Sequence, residues 1–159
     1  VKLAFFDVDG TLSAPRYIHK DGEISPGFTP EGWMEYCAQA GVNGYMDCSP
    51  LPFVREFAEK LKREDCRLFV LSCIMSEHEP AAKIRFVETY YPGLFERYFF
   101  VHADAEKIPL IEKTAEEYSF SRSACVLVED RYETLLEAYQ KGIIPVHISN
   151  LAAGNEVVP

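Results

Sequence analysis

The sequence predicts an α/β protein of three layers, a Rossmann-like parallel sheet of about five strands between helices, with a small cap inserted after the first strand. Three observations point there. Short apolar runs alternate with stretches of helical periodicity, as consecutive βαβ units require. The runs are apolar along most of their length, which marks strands covered on both faces. Three of the five runs close on polar side chains, at the strand ends where such sheets collect ligands.

The first run, Val1 to Asp7 (VKLAFFD), leads into Val8-Asp9-Gly10, where the glycine supplies a turn. From Ser13 to about Pro50 the alternation stops, and glycines and prolines are interspersed with Tyr17, Phe28, Trp33, Tyr36 and Tyr45. A stretch of that length inside a compact domain is expected to be functional. Residues 13–50 therefore read as the cap, and residues 1–12 with 51–159 as the core. Inside the cap, Thr29-Pro30-Glu31 has the N-cap, first-position proline and first-turn acid of a short helix. Trp33, Tyr36, Tyr17 and His19 are placed either to contact a leaving group or to form the cap's own core; His19, between Ile18 and Lys20, reads as a solvated loop position.

Beyond the cap, Phe53, Val54, Phe57, Ala58 and Leu61 form one apolar stripe with charged residues on the other faces, an amphipathic helix laid on a sheet. The second strand is Arg67 to Ser72 (RLFVLS), followed by a helix over about 81–91 that stops before Pro92. His78 and Glu79, between the two, read as solvated loop residues at a rim. Further strands are expected over Arg97 to Ala103, Ala124 to Asp130 and Ile143 to Ser149, and further helices over about 107–118 and 132–141, the last ended by Gly142. The tail after residue 149 carries no pattern.

Composition narrows the function classes. A chain of 159 residues, 48% hydrophobic and 26% charged, has the length of one domain with a full core. Its apolar runs fall far short of the roughly 18 residues of a membrane span. Val1 to Phe6 read as a strand and not as a cleavable leader, which places the protein in the cytoplasm. Five cysteines in no metal-binding spacing read as free thiols of a reducing compartment. The net charge of -9 disfavours a nonspecific nucleic-acid or anionic-membrane binder and leaves a small partner, or one reached through a metal ion. Nothing here bears on oligomeric state.

The chemistry gathers at the strand ends. Asp7 closes the first strand, Ser72 the second, and Glu129 with Asp130 the fourth, while Lys107 opens a helix. Each alone has a bland explanation: a cap, a turn residue, a solvated lysine. Together they read as one site.

These residues resemble the motifs of the haloacid dehalogenase-like (HAD) superfamily of phosphotransferases. DVDGTL, residues 7–12, matches the first motif almost letter for letter; Ser72 in FVLSC matches the second, Lys107 in EKIP the third, and VLVED, ending at Asp130, the acidic fourth. The resemblance implies a phosphatase in which Asp7 is the nucleophile that forms an aspartyl-phosphate and Asp9 is the general acid and base. Ser72, Lys107 and Thr11 would hold the phosphoryl group. Mg²⁺ would be bound by Asp7, Asp9 through its carbonyl, and Asp130, with Glu129 contributing. The substrate would be a small phosphorylated metabolite. Lys113 and Lys83 are alternatives for the third-motif lysine. Glu129 precedes Asp130 where the family commonly has Gly or Asp, and Thr134 stands where it commonly has Asp or Asn; Glu133 is the alternative carboxylate. EDR, residues 129–131, also looks like the fourth motif of polynucleotide 3′-phosphatases, which leaves a polynucleotide or nucleotide phosphatase as the second reading. A non-catalytic phosphate-ligand or protein-binding module on the same fold is the third.

Overall fold

The computed structural model describes residues 1–158. In chain order the elements are β1 (Leu3–Phe6), β2 (Ser13–Ala14), β3 (Tyr17–Ile18), β4 (Ile24–Ser25), α1 (Pro30–Ala40), β5 (Ser49–Pro50), α2 (Pro52–Arg63), β6 (Arg67–Cys73), α3 (Glu79–Tyr90), β7 (Arg97–Val101), α4 (Lys107–Glu117), β8 (Cys125–Glu129), α5 (Tyr132–Gln140), β9 (Ile144–His147) and α6 (Ile148–Ala152). β1, β6, β7, β8 and β9 make one sheet in the order β7-β6-β1-β8-β9, every pairing parallel. The five expected strands and four core helices are all present. The first residues of the tail, which has no sequence pattern, complete the short helix α6, which ends at Ala152.

β1 is central because its residues are apolar without interruption: Leu3, Ala4, Phe5 and Phe6 are all fully buried. Successive side chains of a strand point to opposite faces. Ala4 and Phe6 accordingly pack with Leu68, Val70, Val126 and Val128 against Val54, Ala58 and Leu61 of α2 and Phe86 and Val87 of α3. Leu3 and Phe5 pack on the other side with Phe69, Leu71 and Leu127 against Ile108 and Ile111 of α4 and Leu135 and Ala138 of α5. The apolar stripe of α2 is thus the stripe that meets the sheet. Pro52 opens that helix, and Lys60, Lys62 and Arg63 close it where the negative end of its dipole lies.

Residues 13–50 leave and rejoin the core through a two-stranded antiparallel stem, Ser13 opposite Pro50 and Ala14 opposite Ser49. The Tyr91 hydroxyl, fixed at the end of α3, donates to the Leu12 carbonyl at 2.6 Å and accepts from the Leu51 amide at 3.1 Å, so one side chain ties down both legs of the stem. β3 and β4 form a short hairpin, and α1 begins where Thr29 Oγ1 accepts from the Gly32 amide at 3.1 Å. Tyr17 is the hub of the aromatic residues, 5.7 Å from Phe28, 5.3 Å from Trp33 and 5.6 Å from Tyr36 between ring centroids. His19 is not a solvated loop residue: its ring lies 4.3 Å from that of Phe28 and its Nε2 is 2.6 Å from Ser25 Oγ. Among the described residues no helix is long and apolar enough to cross a membrane.

Gly10 ends the turn that follows β1 in the left-handed region, at φ +73°. A Cβ there would stand 2.8 Å from the Asp130 carboxyl carbon. Gly142, after α5, has a similar φ of +77° but open space around it. Gly142→Ala is expected to cost only the left-handed strain, about 1 kcal/mol. Gly10→Ala carries the same strain plus the collision, so its denaturation midpoint should fall further; equal shifts in the two variants would contradict this packing of Gly10 against Asp130.

Candidate active site

Asp7 follows the last residue of β1, and its amide still donates to the Val128 carbonyl of β8 at 3.1 Å, which carries the strand's direction one residue further. The chain then closes on itself. The Thr11 and Ser13 amides and the Ser13 hydroxyl all donate to the Val8 carbonyl, at 3.2, 2.9 and 3.1 Å. This turn keeps Asp7 buried, at 5% exposure, and lets the Asp9 side chain emerge with 42% of its surface open. Asp7 and Asp9 therefore have different surroundings although they are two residues apart.

β8 runs alongside and delivers Glu129 and Asp130. Asp7, Glu129 and Asp130 each offer a carboxylate oxygen, all within 4.8 Å of one another. Like charges this close cannot all be neutralised by water, so each raises the cost of ionising the others. Burial first, then the Glu129 charge, pushes the Asp7 carboxyl up to about 7. Burial raises Glu129 as well, against the pull of Lys107. Lys107, first residue of α4, puts its ammonium 2.6 Å from Glu129 Oε2, 3.3 Å from Asp104 and 3.5 Å from Asp7 Oδ1. Burial acts to lower its proton affinity, but the Asp7 and Glu129 charges win and hold it above the ordinary lysine range. The other Glu129 oxygen accepts from the Asp130 and Arg131 amides at 3.2 and 3.3 Å, so this carboxylate also braces the loop it starts. His147 at the end of β9 braces it from behind: its Nδ1 accepts from the Ser149 amide at 3.1 Å, which leaves Nε2 to donate to the Asp130 carbonyl at 3.0 Å.

Two buried polar atoms at this spot have no hydrogen-bond partner, Asp7 Oδ1 and Thr11 Oγ1. A buried carboxylate oxygen without a partner is costly, and the cost falls away if a cation or a ligand completes it. The donor set, three carboxylates and neighbouring carbonyls, is all hard oxygen, the chemistry that suits Mg²⁺ over softer ions. The residues present fit such an ion.

Ser72 sits one residue from the end of β6, wholly buried. Its hydroxyl oxygen accepts from Lys83 Nζ at 2.9 Å, which leaves the hydroxyl proton free to be donated. Lys83, on α3 and with no exposed surface, also reaches the Cys73 carbonyl at 2.5 Å, Asp9 Oδ2 at 2.7 Å and Glu79 Oε2 at 3.3 Å. Two of the candidate lysines therefore stand at the site, Lys83 beside Asp9 and Lys107 beside Asp7, while Lys113 is exposed on α4. Glu133 is likewise exposed on α5 and lies outside the carboxylate group. Glu79 departs furthest from expectation. It is 3% exposed; one oxygen accepts from the Trp33 indole at 2.8 Å and the Met75 and Ser76 amides at 2.7 and 2.8 Å. Its spacing of four from Lys83 on one helix is the signal that could have found it. Tyr45, whose hydroxyl donates to Asp9 Oδ1 at 2.6 Å, has no local signal at all. Beside Asp9 a cavity of about 360 Å³ opens, walled by Tyr17, Phe28, Trp33, Met75 and His102.

No family model matches the chain. A Bacillus cereus protein named "Putative nucleotidase" is 28% identical over 83 residues, which is 52% of this chain and 44% of that protein; the chain thus matches less than half the length of this relative. Solved structures resemble it over more of its length. A HAD-superfamily hydrolase of subfamily IA from Geobacter sulfurreducens has a TM-score of 0.62 at 16% identity, covering 92% of this chain and 89% of that one. A phosphoserine phosphatase, solved as an analogue of its phospho-aspartyl intermediate, has a TM-score of 0.60 at 14% identity over 99% of this chain and 92% of that one. D,D-heptose 1,7-bisphosphate phosphatase from Burkholderia thailandensis has a TM-score of 0.54 at 14% identity over 100% and 88%. The sheet order and the match to these structures show the fold of the haloacid dehalogenase-like hydrolases.

Proposed function

We propose that the protein is a Mg²⁺-dependent phosphatase that hydrolyses a small phosphorylated metabolite through an aspartyl-phosphate on Asp7. The observation that carries this is the unpartnered Asp7 oxygen, buried at a strand end among two further carboxylates with an ammonium 3.5 Å away. A carboxylate so placed is short of positive charge and of a ligand, and a phosphate ester with its cation supplies both. Asp7, Asp130 and the Asp9 carbonyl would hold the ion, with Glu129 shaping its loop. Bound there, it would offset the repulsion between a carboxylate nucleophile and an anionic ester.

The side chains divide the remaining work. An Asp7 oxygen forms a bond to phosphorus as the ester P–O bond breaks, and protonated Asp9 gives its proton to the leaving oxygen. Water then attacks phosphorus, Asp9 takes a proton from it, and the Asp7–phosphorus bond breaks to free inorganic phosphate. Lys107, Ser72 and Thr11 Oγ1 are the donors for the charge spread over the equatorial phosphoryl oxygens, and Lys83 adds a second ammonium on the Ser72 side. Residues 13–50 serve as the cap, closing water off from the acyl phosphate. Five cysteines with no disulfide suit a reducing cytoplasm. A nucleotide is the second reading of the substrate, favoured by the name of the Bacillus cereus relative and by the aromatic wall beside Asp9; the charge of -9 counts against long nucleic acid.

Asp7→Asn removes the nucleophile with little change in shape, and turnover of p-nitrophenyl phosphate and of a metabolite panel is expected to fall about a thousandfold or more. Retention of activity in this variant would overturn the mechanism. A folded wild-type protein that turns over no phosphate ester, with or without Mg²⁺, would leave the binding-module reading.

A second prediction concerns pH. In the metal-free protein Asp7 keeps its proton up to about pH 7, whereas the unfolded chain loses it near pH 4. The folded state is the better proton binder across that window, so this group's contribution to stability declines as pH rises from about 4 to about 7. The melting temperature of the metal-free protein should decline over that range more steeply than that of Asp7→Asn. Mg²⁺ competes with the proton and should raise the melting temperature more at pH 8 than at pH 5; a Mg²⁺ effect independent of pH would contradict the assignment of Asp7 as a ligand.

A further inference from the structure

The Asp9 carboxylate is held at both oxygens. Lys83 Nζ stands 2.7 Å from Oδ2, and the Tyr45 hydroxyl donates to Oδ1 at 2.6 Å. A carboxylate has about four acceptor positions, so two donors fix its plane and still leave lone pairs facing the open cavity. The two donors come from different parts of the chain. Lys83 belongs to the core helix α3, but Tyr45 belongs to the inserted segment and reaches across 36 residues of sequence to the turn after β1.

Tyr45 is itself immobile. It is 2% exposed, and its ring meets Tyr17 edge-on at 6.2 Å, Trp33 edge-on at 6.1 Å and Phe86 at 6.2 Å. The two residues just before it are each tied: the Tyr36 hydroxyl donates to the Gly44 carbonyl at 2.7 Å, and Arg85 of α3 donates to the Asn43 side chain at 2.7 Å. Burial and the Asp9 charge raise its proton affinity well above that of a free phenol, which favours the donating hydroxyl. The ring is held by aromatic packing alone; the hydroxyl has the Tyr17 hydroxyl beside it and makes its short hydrogen bond to Asp9.

From this geometry we infer that Tyr45 is a positioning residue of the inserted segment, orienting the Asp9 carboxyl for proton transfer to the leaving oxygen. The inference rests on the phosphatase reading. Proton transfer to a leaving group matters in proportion to how poor that group is: p-nitrophenolate departs with little help, phenolate needs more, and an alkoxide needs the acid fully. Misplacing the acid by a fraction of an ångström is felt as a loss of rate and not of binding.

The test is Tyr45→Phe, which removes the hydroxyl alone, assayed as full-length protein with p-nitrophenyl phosphate, phenyl phosphate and an alkyl phosphate at saturating Mg²⁺. The expected result is a loss in kcat/KM, which reports the leaving-group step and not the later attack of water common to every substrate, of under about threefold on p-nitrophenyl phosphate and of about tenfold or more on the alkyl ester. A purely structural role for the hydroxyl would lower all three alike. An equal loss on every substrate, or no loss on any, overturns the inference and leaves the phosphatase reading intact. A wild-type protein inactive on all three overturns both.

Discussion

Negative charge outnumbers positive charge at the carboxyl end of the sheet, and much of the molecule is arranged around that imbalance. Asp7, Asp9, Glu79, Asp104, Glu129 and Asp130 converge there with only Lys83 and Lys107 buried among them. Burying an ionised group without a partner costs several kcal/mol, so a sequence tolerates it only where the pairing is close to complete or where a ligand finishes it. Here the pairing is nearly complete at Glu79, Asp9 and Glu129, each of which receives a lysine and at least one other donor. It is incomplete at Asp7. The deficit is concentrated on the residue to which the mechanism assigns the bond-forming step.

The two lysines are placed to do unlike things. Lys107 bridges β1 and β8 through Asp7 and Glu129, so it reports on the side where a cation would sit. Lys83 bridges Ser72, Asp9 and Glu79, and through Glu79 it reaches the Trp33 indole and the loop at residues 75–76. The core and the inserted segment therefore meet through hydrogen bonds that start at the site itself. Tyr91 joins them a second time at the base of the stem. A segment fastened at its root and hydrogen-bonded to Asp9 at its far side is held against the sheet end by more than its own aromatics.

Much of this was legible before the structure. The strands were readable because a strand covered on both faces must be continuously apolar, as Leu3 to Phe6 and Cys125 to Val128 are, and the end of each such run is where a polar residue stands out. Asp7, Ser72 and the Glu129-Asp130 pair stand out in that way and Lys107 as the opening of a helix, and the structure brings all of them to one end of the sheet. The inserted segment was legible only as an interruption. Its contacts are set by pairing across long stretches of sequence, Tyr45 with Asp9 and Trp33 with Glu79, and no local periodicity encodes those. Glu79 is not legible because a charged residue after a strand is ordinarily solvated; here three donors and a lysine hold it in the interior. The sequence does not single out Lys83 for the same reason, since a lysine in a helix is buried only when partners far along the chain come to meet it.

The account stands or falls on whether Asp7 carries the phosphoryl group. The direct measurement is to quench the protein in acid during turnover of a phosphate ester, reduce the trapped acyl phosphate with borohydride, and map the reduced residue by peptide mass spectrometry. The account predicts reduction at position 7 alone, dependent on substrate and absent from Asp7→Asn. Turnover with no reduced residue, or with the reduced residue at any other carboxylate, would contradict it.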